Sequence, residues 1–361
     1  MREVGWRFIL PMMFFWPGAA IGANGSGLYS LNQRFGICDN YALTKKMITS
    51  YDYQKLGQVG WYTDGETDYS SCPGPIARQN GGTIDRITVI AKDSHTPALN
   101  AAQQIYQSHP TWFNASTPWQ IGSRPGLDCY TTQPSASGPR YYQTDQYASD
   151  FHLWHDQIKS IDSKFQVMTG SIVLGNLTNY KDDNFDFIKN TINDYYRQTH
   201  QQMPIDVFNV QIIIGPDTAA PLDTFKSAVK TFRQWLLSAG YSKSEMRIGY
   251  GISDNGISQA SAVDFLQQST KWLMDADANG NFDSQLGLSA DGNRLVQAWA
   301  WYPLNDPSTN FQNSSLFDSN GHLTSLGLAY ADLVPQHTPE PGSILILIFG
   351  AGTSFFYRKR H

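Results

Sequence analysis

Apolar, β-branched or aromatic runs alternate along this chain with longer stretches in which apolar residues recur every three or four positions. The runs fall at 35–38, 58–62, 84–91, 118–122, 165–174, 205–214, 246–252 and 294–304, and each predicts a strand. Of the longer stretches, 146–161 places Phe151, Trp154, Ile158 and Ile161 on one helical face. In 221–239 Phe225, Ala228, Val229, Phe232, Trp235 and Leu236 share a face, with Pro221 at the start and Gly240 just past the end as helix punctuation. A third helix is expected over 258–274. Strands that alternate with helices pair in parallel through crossovers. Eight of them imply an α/β fold, a single-domain (β/α)8 TIM barrel, in which functional groups sit at the C-terminal ends of the strands.

The two ends follow other rules. Arg2 and Arg7 precede an apolar stretch over 8–23 that carries small residues at Gly18-Ala19-Ala20 and Gly22-Ala23, the layout of a secretory signal peptide at 1–23. Pro11 and Pro17 weaken that stretch as a spanning helix. After a linker that begins at Pro335, Pro339-Glu340-Pro341 leads into an apolar run over 344–357 and then Arg358-Lys359-Arg360. The run is shorter than the ~20 residues that cross a bilayer comfortably, and Gly350 and Gly352 interrupt it. The expected division is therefore a leader at 1–23, a barrel at 24–334 and a sorting or anchor segment at 335–361.

Composition narrows the function classes. A net charge of -5 argues against a nucleic-acid partner, which needs a basic patch. Cys38, Cys72 and Cys129 suit an oxidising compartment, match no metal spacing and leave their pairing open. Aromatic residues reach 13%, with ten Trp, a richness common where sugars are bound and equally consistent with a well-packed core. No phosphate-binding glycine loop or nucleophile elbow is present, and no cofactor is implied. The stretch Asp275, Asp277, Asn279, Gly280 resembles the first half of a calcium loop. Its twelfth position is Leu286 where a bidentate Glu belongs, so an Asp/Asn-rich turn is the competing role.

The three-part tail resembles the PEP-CTERM sorting signal of bacterial exopolysaccharide producers. That resemblance implies export to the cell envelope, cell surface or extracellular matrix of a bacterium. It also implies recognition by an exosortase-type processing enzyme and membrane contact through the C-terminal segment. The region between the ends resembles bacterial TIM-barrel retaining glycoside hydrolases. The blocks that carry the likeness include Trp119-Gln120-Ile121-Gly122-Ser123-Arg124-Pro125, Ile205-Asp206-Val207-Phe208-Asn209-Val210 and Arg247-Ile248-Gly249-Tyr250-Gly251. The longest runs from Asp291 to Tyr302, and a closing segment covers 321–331.

In such enzymes the fourth strand leads to a Glu acid/base and the seventh to a Glu nucleophile. Here Arg124 and Gly249 hold those positions, Ser123 replaces an Asn, and Gln211 stands on the sixth strand where the family has His. Arginine stays protonated at working pH and cannot act as a general acid poised near neutrality. Glycine has no nucleophile. The resemblance thus implies a degenerate glycosidase that binds polysaccharide or oligosaccharide without cutting it. Candidate ligand contacts are Trp301, Trp299, Trp119, Tyr250, Trp61 and Arg124, with core packing the competing role for the aromatics because alternate strand positions face the helices. Asp128 and Asp254 are the candidates for relocated acids in an active hydrolase. A purely structural matrix component is the third alternative. Glu245 precedes the seventh strand and is expected at the barrel's closed end.

Overall fold

The computed structural model describes residues 28–38, 55–56, 61–63, 83–84, 87–89, 107, 117–122, 144–174, 185–215, 218–253, 257–305, 311 and 313–334. The expected leader at 1–23, the segment at 335–361 with Pro339, Glu340 and Pro341, and the thiols Cys72 and Cys129 lie outside the described residues. Among those residues, no helix is long and apolar enough to cross a membrane.

The strands are β1 (Phe35–Cys38), β2 (Trp61–Thr63), β3 (Thr83–Ile84), β4 (Ile87–Val89), β5 (Trp119–Ile121), β6 (Val167–Thr169), β7 (Ile172–Leu174), β8 (Val207–Ile214), β9 (Glu245–Ile252) and β10 (Ala298–Trp301). The helices are α1 (Leu31–Arg34), α2 (Thr144–Ile161), α3 (Phe185–Thr199), α4 (Pro221–Ser238), α5 (Gln259–Met274) and α6 (Ser325–Leu333). The strand order is β3-β2-β1-β10-β9-β8-β6-β5-β4, with β7 also on β8, and all these pairs are parallel. β3 and β4 occupy opposite ends of that order yet follow one another in the chain, at Ile84 and Ile87. Elements at the two ends of the order are thus neighbours in sequence, the arrangement of a sheet that closes on itself as a TIM-barrel-like α/β fold.

Side chains on a strand alternate between its two faces, and here the outward set is apolar. On β9 Met246, Ile248, Tyr250 and Ile252 join one cluster with Phe225, Val229, Phe232 and Leu236 of α4 and Phe265, Leu266 and Leu273 of α5. On β8 Phe208, Val210, Ile212 and Ile214 do the same. The residues between them face the interior, where Ala298 and Ala300 of β10 form a small cluster of their own. The stretch 165–174, expected as one strand, is two. Val167 and Ile172 both belong to the outer cluster although they are an odd step of five positions apart, so the backbone shifts parity between β6 and β7, as at a bulge.

Helix α3, not anticipated from the sequence, buries Ile188, Thr191, Asp194 and Tyr195 on one stripe. Helix α4 begins with Pro221 at its first turn. It stops at Gly240, whose φ of +83° suits a residue without Cβ. The last carbonyls of α5, those of Leu273 and Met274, accept from Asn281 Nδ2 (3.1 Å) and from the Arg294 guanidinium (3.3–3.4 Å). The last expected strand, 294–304, is shorter than anticipated and runs over Ala298–Trp301.

A buried polar cluster closes the N-terminal end of the barrel. The Arg34 guanidinium meets both carboxylate oxygens of Asp291, at 2.7 and 2.6 Å, and donates to Gln297 O at 2.7 Å. The Tyr29 hydroxyl lies 2.9 and 2.8 Å from the two carboxylate oxygens of Glu245, and Arg247 Nη2 donates to that hydroxyl at 2.9 Å. Gln166 Nε2 adds a donor to Glu245 at 2.7 Å. Arg233 on α4 donates to Leu295 O (2.5 Å), Ser244 O (3.0 Å) and Gln297 Oε1. Burial lowers its pKa to about 9, while the charges of Glu245 and Asp291 act in the opposite sense.

Burial pushes the Tyr29 phenol from 10.0 up to about 12, with the Glu245 carboxylate adding to the rise and Arg247 opposing it. A phenol whose pKa is raised on folding contributes stability that is complete below the unfolded value and is lost as pH climbs toward the folded one. The difference in unfolding free energy between the wild type and Tyr29→Phe, from urea titrations, should stay level from neutrality to about pH 10 and shrink between there and about pH 12. A difference that stays level over the whole range would show a phenol in an ordinary setting.

Candidate functional site

In a barrel of this kind the C-terminal strand ends form the mouth. The described interior changes character along that axis. At the closed end stand Glu245 and Arg247, tied to Tyr29. One step up, in register with Arg247, lie Asn209 of β8 and Ala298 of β10. Asn209 Nδ2 donates to Gln120 Oε1 and to Ser171 Oγ, both at 2.9 Å, and Gln120 Nε2 donates to Gly122 O at 2.6 Å. These amides link β5, the turn between β6 and β7, and β8 in a neutral belt whose donors are used within the protein.

Toward the mouth the next register row reads Gly36, Ala300, Gly249 and Gln211 across β1, β10, β9 and β8. Three of these four neighbours carry at most a methyl group, so the wall there is largely backbone. One step further, Gly251 pairs with Ile213, and a Cβ on Gly251 would lie 2.1 Å from Tyr302 O. The seventh strand can pass the eighth there only as glycine.

Gly249, expected at the nucleophile position, faces the interior in this row, and Gln211 is its register partner on β8. Glu245 is the first residue of β9, at the closed end, where Tyr29, Gln166 and Arg247 engage its carboxylate. Ser123, Arg124, Asp128 and Asp254 lie outside the described residues. Trp61 opens β2 in register with Gly36, and its side chain also lies outside them.

The structure corrects the role expected of four aromatic residues. Trp119, Tyr250, Trp299 and Trp301 are each 0% exposed and sit on the outward parity of their strands. Trp119 packs on Phe165, with centroids 5.4 Å apart, and Trp299 on Phe35 at 5.3 Å. Tyr250 meets Phe225 at 5.4 Å and shares a 2.6 Å hydrogen bond with Thr270. Trp301 is enclosed by Tyr250 and Phe265, and its indole N–H donates to Ser314 O at 2.8 Å. A ring buried between sheet and helices offers no face to a sugar, so these residues belong to the core. Alternation explains the error, because a position late on a strand has an even chance of facing outward.

The half calcium loop is likewise a turn. Asp277 Oδ1 accepts from Asn279 N (2.8 Å), and Asp283 Oδ1 accepts from Gln285 N and Leu286 N. Asp275 O takes Asn281 N, and among the described residues no three acidic, His or Cys side chains converge as a metal site. The polar residues that organise the closed end, Tyr29, Arg34, Arg233, Asp291 and Gln297, were not anticipated. Arg233, Asp291 and Gln297 fall in the blocks that carry the likeness to glycoside hydrolases, but no role at the closed end was read from them.

No protein-family model matches the chain, and no curated protein sequence matches it. Solved structures do. The chain is similar to a curdlan-specific exo-β-1,3-glucanase of glycoside hydrolase family 128 from Blastomyces gilchristii, with TM-score 0.51, 12% identity and coverage of 83% of this chain and 98% of that one. It is similar to a family 128 endo-β-1,3-glucanase from Lentinula edodes, with TM-score 0.52, 15% identity and coverage of 83% and 99%. A glucosidase from Croceicoccus marinus gives TM-score 0.53, 14% identity and coverage of 86% and 69%. At such identities the likeness establishes the fold alone, a TIM-barrel-like α/β fold.

Replacing a buried aromatic residue by Ala removes its transfer free energy and leaves a cavity. Trp301→Ala should lower unfolding stability by about 3–5 kcal/mol in a denaturant titration. Trp301→Phe keeps most of the packing but strands Ser314 O, and should cost about 1 kcal/mol through the lost hydrogen bond. A neutral Trp301→Ala would return this residue to the surface.

Proposed function

We propose that this chain is an exported cell-surface or matrix protein whose barrel holds polysaccharide and no longer hydrolyses it. The observation that carries the reading is Gly249, an inward position in the row below the mouth, in the place that resemblance gives to the nucleophile. A retaining glycosidase needs two carboxyl groups about 5–5.5 Å apart across the scissile bond. Glycine supplies none, and the glutamate on the same strand, Glu245, is engaged at the closed end. Arg124, in the acid/base place by resemblance, stays cationic at any pH where a sugar polymer is handled. As a hydrogen-bonded clamp its guanidinium suits an acidic sugar.

Localisation rests on the two ends of the chain. The leader at 1–23 and the PEP-CTERM-like tail support export, exosortase-type processing and a period of membrane attachment through 344–357. Several of the structurally similar enzymes are described as β-1,3-glucanases, one in complex with glucose and another with laminaritriose. A β-1,3-glucan is therefore the first polymer to try beside the producer's own exopolysaccharide.

The purified protein should co-sediment with insoluble polysaccharide and release no new reducing ends on prolonged incubation. Release of reducing ends that Asp128→Asn or Asp254→Asn abolishes would restore the enzyme, and neither retention nor release would leave a matrix scaffold. Intact-mass measurement of protein recovered from the cell surface should show both the leader and the tail removed. A surface protein that keeps residues 335–361 would count against processing.

A further inference from the structure

The first described residues of the chain are bonded to its last third. Leu28 N donates to Asp291 Oδ1 at 2.7 Å, Tyr29 reaches Glu245, and Arg34 reaches Asp291 and Gln297 O. These contacts span 216 to 263 residues of sequence. The Arg34–Asp291 pair is almost fully buried, at 3% and 0% side-chain exposure. Rings and cations interleave there, with the guanidinium carbons of Arg34 and Arg247 5.7 and 5.5 Å from the Tyr29 ring centroid. What holds the segment locally is slight. Helix α1 has four residues and one capping box, in which Ser30 and Gln33 exchange hydrogen bonds. A helix that short does not persist alone in water.

The contrast with β8, α4 and β9 is sharp. Those elements are consecutive in the chain, and their two strands pair over eight residues in unbroken register, from Val207 with Glu245 to Ile214 with Ile252. Contacts between close sequence neighbours form before those that must close a long loop, because loop closure costs entropy before the contact returns anything.

We infer that Leu28–Arg34 is a strap that locks the closed end of the barrel after β9 and the 291–297 segment are already in place. Residues 28–34 then stay unattached until the last third of the chain is available. In a protein exported as proposed above, that order leaves the segment beside the leader free while the rest crosses the membrane. The order itself does not depend on export.

Pulsed hydrogen exchange read by mass spectrometry, on the full chain refolding from urea, tests it directly. Amides of 207–252 should gain protection first, and amides of 28–34 only once 291–297 are protected. Protection at 28–34 together with or ahead of 207–252 would overturn the inference. Tyr29→Phe gives an independent reading. Loss of a contact that forms late speeds unfolding and leaves folding alone. The variant should unfold at least about fivefold faster, the effect of losing even one of the hydroxyl's bonds to Glu245 and Arg247, with refolding of 207–252 unchanged. Slower refolding, or an unchanged unfolding rate, would sink the late lock.

Discussion

Closing a parallel sheet into a barrel gives each strand residue one of two destinations, the narrow interior or the apolar layer beneath the helices. The remaining architecture of this chain follows from how that division falls. β10 shows it most plainly in the sequence Ala-Trp-Ala-Trp, where Ala298 and Ala300 turn inward and Trp299 and Trp301 turn outward, all buried. On β9 the same parity sends Met246, Ile248, Tyr250 and Ile252 out and Glu245, Arg247, Gly249 and Gly251 in. Bulk lies outside, where aromatic edges meet at centroid distances near 5–6 Å between Tyr250, Phe225, Phe265 and Trp301. Small residues lie inside, beneath the mouth.

The closed end obeys a different constraint, since charge taken out of water must be paired and fully hydrogen-bonded. Breaking a buried pair leaves an uncompensated ion and costs several kcal/mol, although the intact pair adds little net stability. What such a cluster supplies is position. Arg34 and Leu28 fix the 28–34 segment against Asp291, and Arg233 ties α4 to Ser244 and Leu295. Gln297 serves two clients, accepting from Met246 N and from Arg233 while its Nε2 donates to Arg294 O. That end is thus fastened by polar contacts, while the row nearer the mouth, Gly36, Ala300 and Gly249, is lined largely by backbone.

Elements with strong periodicity were legible in the sequence. Helix α4 was expected at 221–239 and runs over Pro221–Ser238, and β1 coincides with the expected 35–38. Helix α3 escaped notice because polar residues such as Lys189, Asn190 and Asn193 separate its apolar positions, although Ile188, Ile192 and Tyr195 keep the helical step. The strand expected at 165–174 hid a parity shift, because Gly170 and Ser171 look unremarkable until Ser171 Oγ is seen to take the Asn209 amide. The aromatic residues showed the deeper limit. Trp301 near the end of a strand reads equally as a sugar platform or a core residue, and only the helix packed against it decides.

The sequence by itself determined the alternation of strands and helices and the α/β class that follows from it. That alternation is a local property, written in spacing. The tertiary structure alone decided which face each strand residue occupies, that Glu245 is engaged at the closed end, and that Leu28, Tyr29 and Arg34 find their partners beyond residue 244. These facts depend on register and closure, set by many weak contacts between segments far apart in the chain, and a local pattern cannot carry them.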